Sequence, residues 1–182
     1  ALYSAIGKAN NVLERAPLVE DAAFQASRKE ALMGEAYFLR AFHYFQLVTL
    51  WSGVPLITST TASIASEDLN VRRSTSEQVY EQILEDLELA IDRLPDKYLN
   101  TSATKARATS GAANALAAKV NLQKPNPNFQ VALDHIIALE ASTANYELLD
   151  NYDHLFDGNN ENNAESILEM QYVGGTEGSL RP

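Results

Sequence analysis

The sequence predicts a mainly α-helical fold: stacked antiparallel helix pairs of tetratricopeptide-repeat type, with long loops and one short strand near the C-terminus. Three observations lead there. Apolar residues recur at helical spacing through most of the chain. Small residues gather where helices would touch, at Gly34, Ala36 and Ala41 and in the run GAANALAAKVNL. Hydroxyl caps, glycines and prolines interrupt the periodic runs at intervals of a helix length.

Taken in order, a first helix is expected over about 3–15, with Ile6, Ala9, Val12 and Leu13 on one face and Pro17 closing it. A second is expected over about 21–51, stopped by Ser52-Gly53 and Pro55. From Leu32 to Leu50 its apolar residues occupy more than one face, so it must be covered on several sides and forms the centre of the core. Glu35, Arg40, His43 and Gln46 break this run short of a membrane span. The Ser/Thr-rich stretch from Pro55 to Arg73 reads as a long surface loop and a candidate recognition segment.

A hydroxyl cap at Ser74-Thr75-Ser76 opens a third helix, with Val79, Ile83, Leu84, Leu87, Ala90 and Ile91 inward and Leu94-Pro95 ending it. Glu77, Glu81, Glu85, Glu88 and Asp92 give it an acidic outer face, the ordinary form of a solvated exterior. A fourth helix is expected from Ser110 to about Leu122, and a fifth over about 128–141 with Val131, Ala132, His135, Ile136 and Leu139 inward. The segments 146–149 and 152–156 read as extended or short helical pieces, and Asp157 to Asn163 as loop. Ser166 to Tyr172 alternates as a strand. The expected pairing joins the first helix to the second, the third to the fourth, and the fifth to the piece near Tyr152.

Net charge is −10 and the few Lys and Arg never cluster, so the chain offers no electrostatic footprint for nucleic acid or anionic lipid. No cysteine is present, which excludes disulfides, thiolate catalysis and Cys-ligated metal. No nucleophile elbow, HExxH, phosphate loop or dinucleotide turn occurs, and His43, His135 and His154 lie on separate elements. No carboxylate pair is set in an aromatic, water-excluding surround. The tract Asp157-Gly158-Asn159-Asn160-Glu161-Asn162-Asn163 has oxygen ligands at alternate positions, but its glycine is misplaced for a calcium loop and the closing glutamate is missing. The expectation is therefore a non-enzyme with no cofactor and no metal.

The run EALMGEAYFLRAFHYFQLVTLWSGVPLI, residues 30–57, resembles the signature segment of the SusD/RagB family, the surface nutrient-binding lipoproteins of Bacteroidetes, with pattern AEAxFLRAxxYFxLVxLWGGVPL. Glu35-Ala36, Phe38-Leu39-Arg40-Ala41, Tyr44-Phe45, Leu47-Val48, Trp51 and Gly53-Val54-Pro55-Leu56 carry the match. NAESILEMQY resembles the family's ESIFxxQ strand. The resemblance implies that residues 1–182 are the single helical-repeat portion of a longer protein, lacking an N-terminal lead and a C-terminal half. The opening ALYSAIGKANNVLERA, with no leader or lipid-attachment cysteine, and the ending YVGGTEGSLRP, cut inside a loop, fit that expectation. It further implies oligosaccharide capture at the outer-membrane surface, hand-over to a TonB-dependent SusC-like transporter, and membrane attachment only through a lipid anchor outside this chain. The alternative is a free-standing tetratricopeptide-like adaptor that holds a peptide or protein in its groove.

Trp51 is the candidate ligand-binding residue, as the sole tryptophan placed where a helix ends beside the long loop. Sugar C–H faces stack on such rings. The competing reading is that it packs the helix end against the Gly-Val-Pro turn.

Overall fold

The computed structural model describes residues 1–21, 23–60, 70–99 and 105–171. Among these are five α-helices of 12 residues or more: α1 (Leu2–Arg15), α2 (Ala26–Trp51), α3 (Ser76–Arg93), α4 (Ser110–Gln123) and α5 (Phe129–Glu140). Local chemistry fixes several ends. Thr75 caps α3 in a capping box, its hydroxyl accepting from Gln78 N at 3.3 Å while the Gln78 side chain accepts from Thr75 N at 3.0 Å. Thr109 caps α4 and Asn128 caps α5 in the simpler one-way form.

Each helix packs on the next in sequence. The neighbours run antiparallel: Tyr3 meets Tyr44 edge-on across α1 and α2, Gly34 of α2 faces Leu94 just past α3, and Asn114 of α4 meets His135 of α5. Gly34 permits the second approach, because a Cβ there would sit 2.9 Å from the Leu94 side chain. The fifth helix pairs with α4, against the expectation that it would pair with the piece near Tyr152. That piece is a short 3-10 turn, Tyr152–Leu155, whose tyrosine is 70% exposed. The small inner side of α4, with Ala113 and Ala117 fully buried, accepts a helix on each flank.

The core runs along α2, α3 and α4 through Phe38, Ala41, Tyr44, Phe45, Val48, Val79, Ile83, Leu87, Ala90, Ala113 and Val120. The acidic residues at 77, 81, 85, 88 and 92 are all exposed, as a solvated exterior should be.

Three local expectations change. Helix α2 begins at Ala26, later than expected, since Asp21 folds a turn that accepts from Ala23 N at 2.8 Å and Phe24 N at 2.9 Å. Ile136 on α5 is 39% exposed, because only Ala132 of that helix is fully buried against α4. The expected strand is absent over 166–171, and Tyr172 lies outside the described residues. A strand needs a ladder. Here Glu169 N donates to Lys105 O at 2.7 Å and the Lys105 ammonium to Ser166 O, which leaves the segment tied at points without a partner strand among the described residues. Positions 61–69 of the expected recognition loop also lie outside the described residues.

Candidate ligand-binding surface at the end of the second helix

Helix α2 stops through backbone geometry. Ser52 N donates to Val48 O at 2.9 Å, closing the last turn, and Ser52 itself takes φ 61°, ψ −132°. Gly53 follows because nothing larger fits: a Cβ there would lie 2.1 Å from the backbone oxygen of Ser74. Ser74 N donates to Val54 O at 3.1 Å, Pro55 bridges to Arg73, and the Arg73 guanidinium donates to the carbonyls of Trp51 and Gly53. The two ends of the long loop are thereby stapled together where α2 ends and α3 begins.

This staple sets Trp51 on the rim of an open groove of about 650 Å³ lined also by Ser52, Ser76, Tyr80, Gln123 and Lys124. Trp51 is 54% exposed. It presents a wide apolar face beside an ammonium, an amide and hydroxyls, a combination able to hold a neutral, hydroxyl-rich ring.

The strap of residues 55–60 leaves the groove and crosses α1 and α2, held by polar side chains at nearly every step. Tyr3 Oη donates to Pro55 O at 2.9 Å, and Ile57 N donates to Tyr44 Oη at 2.6 Å. Asn10 Nδ2 donates to Ile57 O at 2.8 Å and Ser59 O at 3.0 Å, and Glu14 accepts from Thr60 N at 2.6 Å. Beneath the strap lies a buried ion pair. Arg40 Nε donates to Asp86 Oδ2 at 2.8 Å and Nη2 to Oδ1 at 2.6 Å, while Nη1 reaches Asn10 Oδ1 at 2.9 Å and Thr58 O at 3.0 Å. Burial pushes the Asp86 carboxyl above its ordinary range, against the pull of the Arg40 fork, and pushes the Tyr44 phenol up to about 12. The guanidinium is the fixed charge of the pair, and its planar fork matches the carboxylate in two parallel bonds.

Asn10 and Asp86 escaped the sequence reading. A signal existed: Arg40 inside an apolar helix demands a buried counter-charge, and Asp86 shares the inward face of Ile83, Leu87 and Ala90. The histidines stay apart. His135 Nδ1 and Asn114 Oδ1 lie 2.9 Å apart, with Nε2 facing Glu88 at 3.6 Å. His43 is half-buried with no partner for Nδ1, and burial holds its imidazole below the usual range. His154 sits on the exposed 3-10 turn. The Asp157 carboxylate is occupied by its own loop, accepting from Asn159 N at 2.8 Å and Asn160 Nδ2 at 2.9 Å. Among the described residues no group of three His, Cys, Asp or Glu could hold a metal, and no helix is long and apolar enough to cross a membrane.

A second cavity, of about 590 Å³, lies on the far flank of α2, between Phe38, Leu39, Phe42 and His43 on one side and Leu168 and Met170 on the other. Its rim is fixed by Glu35, which pairs with Arg107 at 2.6 Å and accepts from Tyr98 Oη at 2.6 Å.

The described residues thus form a serial helical stack with Trp51 exposed on the rim of an open groove. The family model described as "Starch-binding associating with outer membrane" matches residues 1–122, and the chain belongs to this SusD-like family. A SusD-like protein of Bacteroides ovatus is 29% identical over 180 residues, covering 94% of this chain and 32% of the relative. Among solved structures, a laminarin-binding SusD-like protein superposes with a TM-score of 0.77 at 34% identity, over 92% of this chain and 35% of that one. A crystal structure with xylogluco-oligosaccharide gives 0.76 at 28% identity, over 94% and 34%. The chain thus spans about a third of the length of these relatives. SusD-like proteins bind carbohydrate without bond chemistry, and the family's description places them at the outer membrane.

Proposed function

We propose that residues 1–182 are the helical-repeat portion of a non-catalytic SusD-like receptor that captures oligosaccharide at the outer-membrane surface. In this reading a lipid anchor outside the chain holds the protein to the membrane, and a TonB-dependent SusC-like transporter receives the sugar. Trp51 is the stacking platform. The observation that carries the reading is the likeness, at 34% identity and over nearly the whole chain, to a protein that binds laminarin. The exposed indole above a groove of hydroxyl, amide and ammonium groups supports it, because neutral saccharides are held by such a mixture.

The test measures binding of laminarin and xylogluco-oligosaccharide to the full-length polypeptide that carries this chain, by calorimetry, beside Trp51→Ala. Loss of an aromatic platform weakens binding by about 10-fold or more, at ~1.5 kcal/mol. Affinity indifferent to Trp51→Ala moves the site elsewhere, and a protein that binds no glycan on a broad array defeats the receptor reading. Pull-down of the full-length protein from detergent-solubilised outer membranes tests the second half: recovery without a TonB-dependent transporter refutes hand-over to one.

A further inference from the structure

The backbone around the groove contains one anomaly. Among the described residues the non-glycine positions with positive φ are Ser52, Asn126, Asn145 and Asn162. Asparagine enters the left-handed region readily, since its side chain can bond locally. Serine does so far less, and the ψ of −132° takes Ser52 out of that region into the one used at the first central position of a type II′ turn, where glycine is favoured. A Cβ therefore stands where the backbone would run more easily without one.

No contact of the side chain inside the protein offsets this conformation. The Ser52 hydroxyl has no hydrogen-bond partner among the described residues, and the residue is exposed. It follows Trp51 directly and lines the same groove. The turn itself is held by other groups: the Ser52 amide on Val48, the tight Gly53 and the Arg73 guanidinium.

We infer that Ser52 is a ligand-contacting residue whose hydroxyl hydrogen-bonds the sugar ring stacked on Trp51. The inference rests on the proposed saccharide role of the groove. A neutral hexose offers both donor and acceptor hydroxyls, and a serine hydroxyl can serve either. The arrangement gives the groove orientation as well as stacking: the indole accepts many apolar ring faces, while a single hydroxyl at its edge selects a ring that places a partner there.

Three variants of the full-length polypeptide carrying this chain separate the possibilities: Ser52→Gly, Ser52→Ala and Trp51→Ala, each titrated with laminarin and xylogluco-oligosaccharide and melted by scanning calorimetry. Ser52→Gly relieves the backbone and raises Tm by about 1 °C in a protein three times this length, yet weakens binding by about 3–10-fold, the worth of one hydrogen bond. Ser52→Ala weakens binding to the same extent without the gain in Tm. If Trp51→Ala weakens binding while both Ser52 variants bind as the parent, the serine contact is wrong and the groove stands. If only Ser52→Gly weakens binding while Ser52→Ala binds as the parent, the backbone conformation and not the hydroxyl is responsible, and the inference fails. If Trp51→Ala is silent, or neither saccharide binds, the groove reading falls and takes this one with it.

Discussion

Replacing Asp86 with leucine strands the Arg40 guanidinium, and the structure sets the size of the effect. The Asp86 side chain is 0% exposed and that of Arg40 7%, joined by two bonds of 2.8 and 2.6 Å. Removing one partner of such a pair costs about 3–5 kcal/mol, because a charge remains buried without compensation. Arg40→Met costs a similar ~3–5 kcal/mol by the same reasoning. The double variant Arg40→Met/Asp86→Leu buries no charge, so the pair itself can go at little net cost. What remains is local: Asn10 Oδ1 and Thr58 O lose the Arg40 Nη1 donor, and Gln82 loses its 3.1 Å acceptor on Asp86. Those groups sit beside the strap, where water can reach Thr58, so the double variant loses about 2–4 kcal/mol. Two independent losses would sum to about 6–10 kcal/mol, most of a typical domain's stability of about 5–15 kcal/mol. Urea denaturation followed by circular dichroism measures all three variants, with the slope checked for constancy. Additivity of the two single losses to within about 0.5 kcal/mol would refute the pair as one coupled unit.

The two glycines at opposite extremes of crowding predict opposite signs. Gly53→Ala drives a Cβ to within 2.1 Å of the Ser74 backbone and costs about 1–3 kcal/mol or more, breaking the staple at the groove. Gly7→Ala, at an exposed position of α1, meets nothing within 4 Å and stabilises by about 0.5–1 kcal/mol. Thermal melts check both, and equal shifts would mean that packing at residue 53 is looser than described. Asp96 supplies a pH test. Burial alone would raise its carboxyl, but donors from Ser142 Oγ at 2.6 Å, Thr143 N at 2.6 Å, the Thr143 hydroxyl and Ser110 outweigh it and hold the group below the ordinary range. A depressed folded value means its stabilisation is complete above the unfolded value of about 3.9 and is lost as pH falls through the lower folded value. Asp96→Asn should therefore flatten the fall of unfolding free energy below about pH 4; an identical acid limb in parent and variant would exclude Asp96 as its source.

The helices were legible in the sequence because their causes are local. Apolar spacing placed α1 to α5, Thr75 announced its cap, and Ser52-Gly53 with Pro55 marked the stop of α2 to the residue. Trp51 could be singled out by position alone, but its exposure could not, since a helix end may bury or present an indole with equal ease. The strand over 166–171 failed for the complementary reason: alternation is a property of the segment, while a ladder requires a second segment to be there.

By itself, then, the chain determined which segments are helical and where each helix must end, though not where α2 begins or which face of α5 is buried. Only tertiary structure decided which faces meet. It brought Arg40 to Asp86, 46 residues away, and to Asn10, 30 away, and it gave α5 to α4 in place of the piece near Tyr152. It also forced Ser52 into glycine territory by closing the loop onto Ser74. Periodicity is written in neighbouring residues, whereas the partner of a face is chosen by rigid bodies packing to exclude water, and many pairings satisfy one pattern before packing selects among them.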